Sequence, residues 1–415
     1  MTAFQGAGLL FTVISVFGVI NHRYLKLPDT LGITAVGLML CLGLSILGTG
    51  HPEMVAQAQK LVTQIDFSEV VFHGLLSLLL FAGALHVDVS RLRAHRAPVF
   101  LLATVGVVIS TAVVGFGLYL VASLFGSPIS LLWCLVFGAL ISPTDPIAVL
   151  SVLKSAGAPP ALESKIAGEA LFNDGTAVVT FVTLLGLAAG TTHFSLGEVA
   201  VTLAREVIGA LLLGVAVGYG ASLMVSRVES YPVEILITLA VATAGYSLAE
   251  LLHVSAPLAV VIMGLVLGSH GATKSMTAKT REHLFNFWSL LDELLNLLLF
   301  GLIGLQMIAV SLKANVVYLG LAAIPVVLTA RFLSVAAPLS ALRGFHAMSP
   351  HAAKVMTWGG LRGGISIALA LSLPVFEGRD LIIGVTYIVV VFSLLVQATT
   401  LGPLVKRLGR SCSGE

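Results

Sequence analysis

The sequence predicts an all-α, polytopic membrane protein of about thirteen spanning helices, two of them broken in mid-membrane. Three observations lead there. The chain has 415 residues, 57% hydrophobic and only 10% charged, with a mean hydropathy of +1.04; a soluble domain carries roughly 25% charged residues. Apolar stretches long enough to span, about 20 residues each, follow one another with short polar joints between them, centred near residues 15, 40, 79, 110, 140, 175, 211, 241, 262, 299, 328, 363 and 394. The cations fall on alternate joints.

The first stretch opens the chain, but no Lys or Arg precedes Arg23 and no A-x-A-like site follows, so it reads as a retained helix, not a secretory signal. The second and third flank the longest polar joint, His51 to Glu69, expected to be a surface loop. The fifth, "CLVFGALISPTDPIAVLSVL", brackets Thr144 and Asp145 with Pro143 and Pro146, so helical hydrogen bonding should fail there. The sixth holds "ALFNDGTAVV". In a soluble chain Asn-Asp-Gly would turn, but a turn here leaves pieces of about a dozen residues, too short for ~30 Å of hydrocarbon. The expectation is therefore one helix from near Pro160 to near Gly190. The twelfth, around "TWGGLRGGIS", sets four glycines about Arg362. Interruptions in the fifth and twelfth stretches, seven apart, make residues 1–190 and 230–410 approximate repeats within a single transmembrane domain, 1–415, and paired interruptions point to a midplane transport site.

Orientation follows from the cations. One set of joints holds Arg23 and Lys26; Arg91, Arg93 and Arg96; Lys154; Arg227; Lys274, Lys279 and Arg281; Arg343 and Lys354; and Lys406, Arg407 and Arg410. The opposite set holds only Lys60, Lys313 and Arg379. This bias places the C-terminus in the cytoplasm and the N-terminus outside. The net charge of +2 reflects topology, and no nucleic-acid partner is implied. Cys41 and Cys134 lie in apolar spans and Cys412 in the tail, giving no disulfide framework and no metal-spaced pair. The 42 glycines suit close helix packing. His270, His283, His346 and His351 fall at cytoplasmic joints and read as ordinary interfacial residues.

Charges inside a membrane each cost about 2.5–3.5 kcal/mol on insertion scales and mark function or pairing. Deep in the spans lie Arg331, Arg362, Asp145, Glu169 and Asp174, with Asp292 and Glu293 nearer an end. Glu169 is expected to pair with Arg331 or Arg362. Two cations cannot neutralise every carboxylate, so a mobile cation or proton is the natural partner of Asp174. Glu169 and Asn173 share a helix face, with Asp174 turned about 100° from it. A plain kink would explain the prolines but does not call for an aspartate. Thr144 and freed carbonyl oxygens, with the Asp145 and Asp174 carboxylates, would form a hard-oxygen cage for a transported Na⁺ or Li⁺. Arg362 can offset the negative half-helix end while the cation is absent.

"SPTDPIAVLSVLKSAGAP", "GEALFNDGTAVV", "LLDELLNLLLFGLIGL" and "WGGLRGGISIALALSLP" together resemble the signature segments of monovalent cation/proton antiporters, in the branch of NhaP-type antiporters and sodium/proton exchangers. The resemblance covers nearly the whole chain. It implies an NhaA-like inverted-repeat fold with two broken crossing helices, a core moving against a dimerisation domain, and a homodimer in a prokaryotic inner membrane. It makes Asp174 the ion- and proton-binding carboxylate beside Asn173, assigns Thr144 and Asp145 to the unwound helix, and gives Glu169, Arg331 and Arg362 a supporting charge network. Many relatives carry Ser where this chain has Ala170, which leaves the cation preference among Na⁺, Li⁺ and K⁺ open. Asn296 sits where other members place a polar or acidic residue, and Asp292 and Glu293 one turn earlier line an inner funnel or cap its rim. The expected function is sodium/proton exchange by alternating access, serving pH homeostasis; because the Asn-Asp pair offers one titratable group, one cation is expected per proton. Potassium/proton exchange is the alternative; a cation channel or a non-transporting membrane sensor is a more distant one. No nucleophile-base arrangement, H-E-x-x-H or phosphate-binding pattern occurs, so neither an enzyme nor a cofactor is expected.

Overall fold

The computed structural model describes residues 3–47, 52–63, 67–94, 96–127, 129–146, 149–150, 152–153, 160–190, 196–269, 276, 278–310, 313–341 and 352–412. Every regular element among them is helical. In chain order, α1 spans Ala3–Ile20, α2 Asp29–Leu47 and α3 Pro52–Thr63. A π-helical turn, Val70–Leu76, leads into α4, Ser77–Leu85. Next come α5 (Val105–Leu124), α6 (Leu131–Leu140), α7 (Pro160–Ala188), α8 (Leu196–Val225), α9 (Tyr231–Leu251) and α10 (Ala256–Val266). Further along are α11 (Ala278–Gln306), α12 (Ala314–Ala341), α13 (Ala352–Trp358), α14 (Gly364–Leu371), α15 (Arg379–Phe392) and α16 (Ala398–Cys412), with short helices at Phe67–Glu69, Val89–Ala94 and Arg96–Ala103 between the earlier ones.

Among the described residues eight helices are long and apolar enough to cross a membrane, and four shorter apolar ones lie between them. The stretches centred near 40, 79, 140 and 262 fall on the short ones. The one near 363 falls between α13 and α14, where Gly360–Gly363 are not helical. One expectation is corrected: the joint between the second and third stretches is not only loop, because Pro52–Thr63 forms α3. Pro52 opens that helix at a position needing no amide donor, and Gln59 Nε2 donates to Ile308 O at 2.9 Å, tying it to the end of α11. His270, His346 and His351 lie outside the described residues; His283 stacks beside Tyr231, ring centroids 5.2 Å apart.

By packing, the helices form two groups. In one, α5 lies against α6 and α12, α6 against α7, and α12 against α15. In the other, α10 is wrapped by α4, α8 and α9, while α2 lies along α11. Small residues permit these approaches. A Cβ on Gly37 would stand 3.0 Å from Gly304 Cα, so α2 and α11 touch backbone to backbone, and Thr34 Oγ1 donates to Phe300 O at 3.1 Å across the same seam. Without water between helices, such close dispersion contact and inter-helix hydrogen bonding drive association. The groups meet where α7 packs on α10 and where α14 reaches the π-helical turn and α11.

A cavity between two broken helices

Pro143 and Pro146 supply no amide hydrogen, and α6 stops at Leu140, leaving Ser142–Asp145 non-helical before the chain turns helical again at Pro146. The glycines about Arg362 open the second break. The two interruptions meet directly: the Asp145 amide donates to Leu361 O at 2.8 Å, and a Cβ on Gly363 would lie 2.8 Å from Asp145 Oδ2 and 2.9 Å from its Cβ. Only glycine lets the segments cross this closely.

Broken helices expose carbonyl ends that carry partial negative charge, and arginines meet three of them. Arg362 Nη1 donates to Ser142 O at 2.6 Å and Pro143 O at 3.0 Å, beyond the end of α6. Arg331 Nε donates to Met356 O at 3.2 Å near the end of α13. Arg379 donates to Leu371 O at 2.9 Å and Leu373 O at 2.8 Å at the end of α14. Arg331 also resolves the pairing of Glu169: Nη1 and Nη2 grip both carboxylate oxygens, the second contact at 3.0 Å, with both side chains buried. Gly360 leaves room for that arginine, since a Cβ there would stand 3.0 Å from Arg331 Cγ.

The helix α7 runs unbroken through Asn173, Asp174 and Gly175, and Glu169, Asn173 and Asp174 are all buried. Asn173 Nδ2 donates to Thr144 Oγ1 at 3.3 Å and Ser142 O at 3.4 Å, fastening α7 to the first break. A cavity of about 600 Å³ lies beside this crossing. Thr144, Asp145 and Asp174 form part of its wall, and Asp292, Glu293 and Asn296 of α11 form another. Asn173, Glu169, Arg331 and Arg362 are not among the residues that line it. The α4 side is apolar, with Leu76, Leu79 and Leu80. His86, Asp88, Glu163 and Ser289 are further polar residues lining it, and His86 Nε2 lies 2.9 Å from Ser289 Oγ.

Asp174 Oδ1 has no hydrogen-bond partner within the protein, and the same holds for Asn173 Oδ1, Asn296 Oδ1 and Ser366 Oγ. Sequence reasoning missed Ser366, although it lies inside the glycine-rich segment; a lone hydroxyl in the first turn after a helix break was the available signal. It also passed over His86 and Ser289, which have no motif around them. Chemically, the arrangement places a buried carboxylate and neutral oxygens at a cavity wall while both deep arginines are engaged elsewhere, which suits reversible binding of a small cation or proton.

Residues 10–407 match the family model for the sodium/hydrogen exchanger, transmembrane. The chain is 46% identical over 396 residues to the Na⁺/H⁺ antiporter NhaP of Pseudomonas aeruginosa, covering 94% of this chain and 93% of that one. It is 34% identical over 415 residues to the Na⁺/H⁺ antiporter NhaH of Halobacillus aidingensis, with 97% of each covered. In three dimensions it resembles the sodium proton antiporter MjNhaP1 of Methanocaldococcus jannaschii at a TM-score of 0.77 and 20% identity, covering 98% of this chain and 99% of the other. These are transporters, not enzymes, and eight apolar helices among the described residues of this chain are long enough to cross a membrane. The chain is an integral membrane protein of the sodium/hydrogen exchanger family, NhaP-type.

Proposed function

We propose that this protein exchanges Na⁺ for H⁺ by alternating access, with cation and proton competing for Asp174. The observation that carries this reading is the buried, partnerless Asp174 Oδ1 at the wall of the cavity, set against the engagement of Arg331 with Glu169 and of Arg362 with backbone carbonyls. An uncompensated buried carboxylate is costly, so the carrier crosses between states only when loaded, and this couples the two ions. Thr144, Asp145 and Asn173 complete the site around Asp174. The names of its relatives as Na⁺/H⁺ antiporters support the same choice.

Asn173 cannot titrate, so one proton exchanges for one cation and no net charge moves. Asp88 and Glu163, which line the cavity, neighbour in sequence the joints that carry Arg91, Arg93, Arg96 and Lys154, so under the positive-inside reading the cavity faces the cytoplasm. The two breaks belong to inverted repeats, 1–190 and 230–410, and the chain works as a homodimer in the prokaryotic inner membrane with its C-terminus inside. Li⁺ shares the site with Na⁺; K⁺, larger, fits a dehydrated oxygen cage less well.

The test is reconstitution in proteoliposomes with an internal pH dye, adding Na⁺, Li⁺ or K⁺ outside, with and without a valinomycin clamp, beside Asp174→Asn. Cation-driven alkalinisation that ignores the clamp and vanishes in the variant is the expected result. Full exchange in Asp174→Asn, or a current that reverses with membrane potential alone, refutes the mechanism.

A further inference from the structure

Asn296 and Ser366 border the same cavity as Asp174 but come from different helices. Asn296 is on α11, which packs with α2 and α4, whereas Ser366 is on α14, which packs chiefly with α15 and α6. Both side chains are buried, Asn296 at 1% and Ser366 at 0% exposure. The Asn296 amide is oriented by its donors: Nδ2 gives hydrogen bonds to Asp292 O at 2.7 Å and Asp292 Oδ1 at 3.2 Å. Both partners are acceptors, so the amide cannot be turned round, and its Oδ1 is left with no partner. A helical serine ordinarily back-bonds to the carbonyl four residues earlier. For Ser366 that residue is Arg362, inside the break, and its hydroxyl also stays unpartnered.

Buried acceptors without donors are rare because each forfeits a hydrogen bond to water. A small hard cation takes several oxygens at once, and these oxygens line one cavity with Asp174. We infer that Asn296 Oδ1 and Ser366 Oγ are ligands of the transported cation together with Asp174, and that Asn296 supplies its oxygen only in the conformation open to the cytoplasm. The inference rests on the antiport reading above. The one-sidedness follows from placement: Ser366 and Asp174 belong to one packed group and Asn296 to the other, so relative movement of the groups carries the site away from Asn296. A proton on Asp174 needs no such shell, so these residues act on the cation and spare the competing proton.

The experiment measures half-saturating Na⁺ for proton exchange in everted vesicles, which present the cytoplasmic face, and in right-side-out vesicles. Losing one ligand oxygen weakens binding about tenfold. Ser366→Ala is expected to raise half-saturating Na⁺ about tenfold on both faces, with Ser366→Thr, which keeps the hydroxyl, close to the parent. Asn296→Ala is expected to raise it about tenfold in everted vesicles and less than twofold in right-side-out vesicles. Should Asn296→Ala fail to fold, Asn296→Asp serves, with half-saturating Na⁺ falling on the cytoplasmic face alone. Parental values for Ser366→Ala on both faces, or a shift at Asn296 of equal size on both faces, overturns the inference. A parent protein that moves no protons with any cation overturns the antiport reading instead, a separate result.

Discussion

Removing Arg331 should unsettle the protein more than removing both members of its ion pair. Arg331→Met strips both donors from a buried Glu169 and releases Met356 O. Leaving one buried charge unpaired costs about 3–5 kcal/mol, and Glu169→Leu, which strands the arginine, should cost a similar amount. The double variant Glu169→Leu/Arg331→Met leaves no stranded charge, and apolar replacement of a whole buried pair is often neutral. What remains is the bond to Met356 O, about 1–3 kcal/mol, well below the two single losses taken together. Unfolding in mixed micelles by titrated denaturing detergent, followed by tryptophan fluorescence, reads this well. Trp358 closes α13 two residues beyond Met356, donating from Nε1 to Thr400 Oγ1 at 2.9 Å, so with Trp133 and Trp288 replaced by Phe the signal reports the region disturbed. Losses under 1 kcal/mol in either single variant, or a double variant less stable than Arg331→Met alone, would refute the view that the pair compensates a buried charge.

Gly363→Ala places a Cβ within 2.9 Å of Asp145 Cβ; the crossing must open, with an expected cost of about 1–3 kcal/mol and at least tenfold slower exchange, read by the same unfolding and dye assays. A second expectation concerns pH. Because protons and Na⁺ compete for one carboxylate, acidification fills Asp174 with protons, and where that form dominates each pH unit downward should raise half-saturating Na⁺ about tenfold. A half-saturation that stays flat across acid pH would exclude competition at one site. Gly304→Val sets a branched side chain against the Gly37 backbone and is expected to loosen α2 from α11, lowering thermal stability as measured by size-exclusion recovery after heating, with no loss of cation selectivity.

The all-helical membrane class, the sites of both breaks and the unbroken α7 were legible from the sequence alone, because each depends on local physics. Apolar length sets the spans, proline removes a donor wherever it stands, and a turn at Asn173–Gly175 would have left pieces too short to cross. The helical α3 was missed because its polar side chains read as loop when judged by hydropathy. What the tertiary structure alone decided was partnership. Arg331 takes Glu169 across 162 residues because α12 packs on α13 at a height from which the arginine reaches α7, whereas Arg362 is spent on the carbonyls of the other break. Asp292 and Asn296 reach the cavity, and Ser366 keeps an unused hydroxyl, through helix rotation and the course of a break, which depend on neighbours far away in the chain. Sequence identified which residues were too costly to bury without a purpose; only the packing of distant helices showed which were already neutralised and which still lacked a partner.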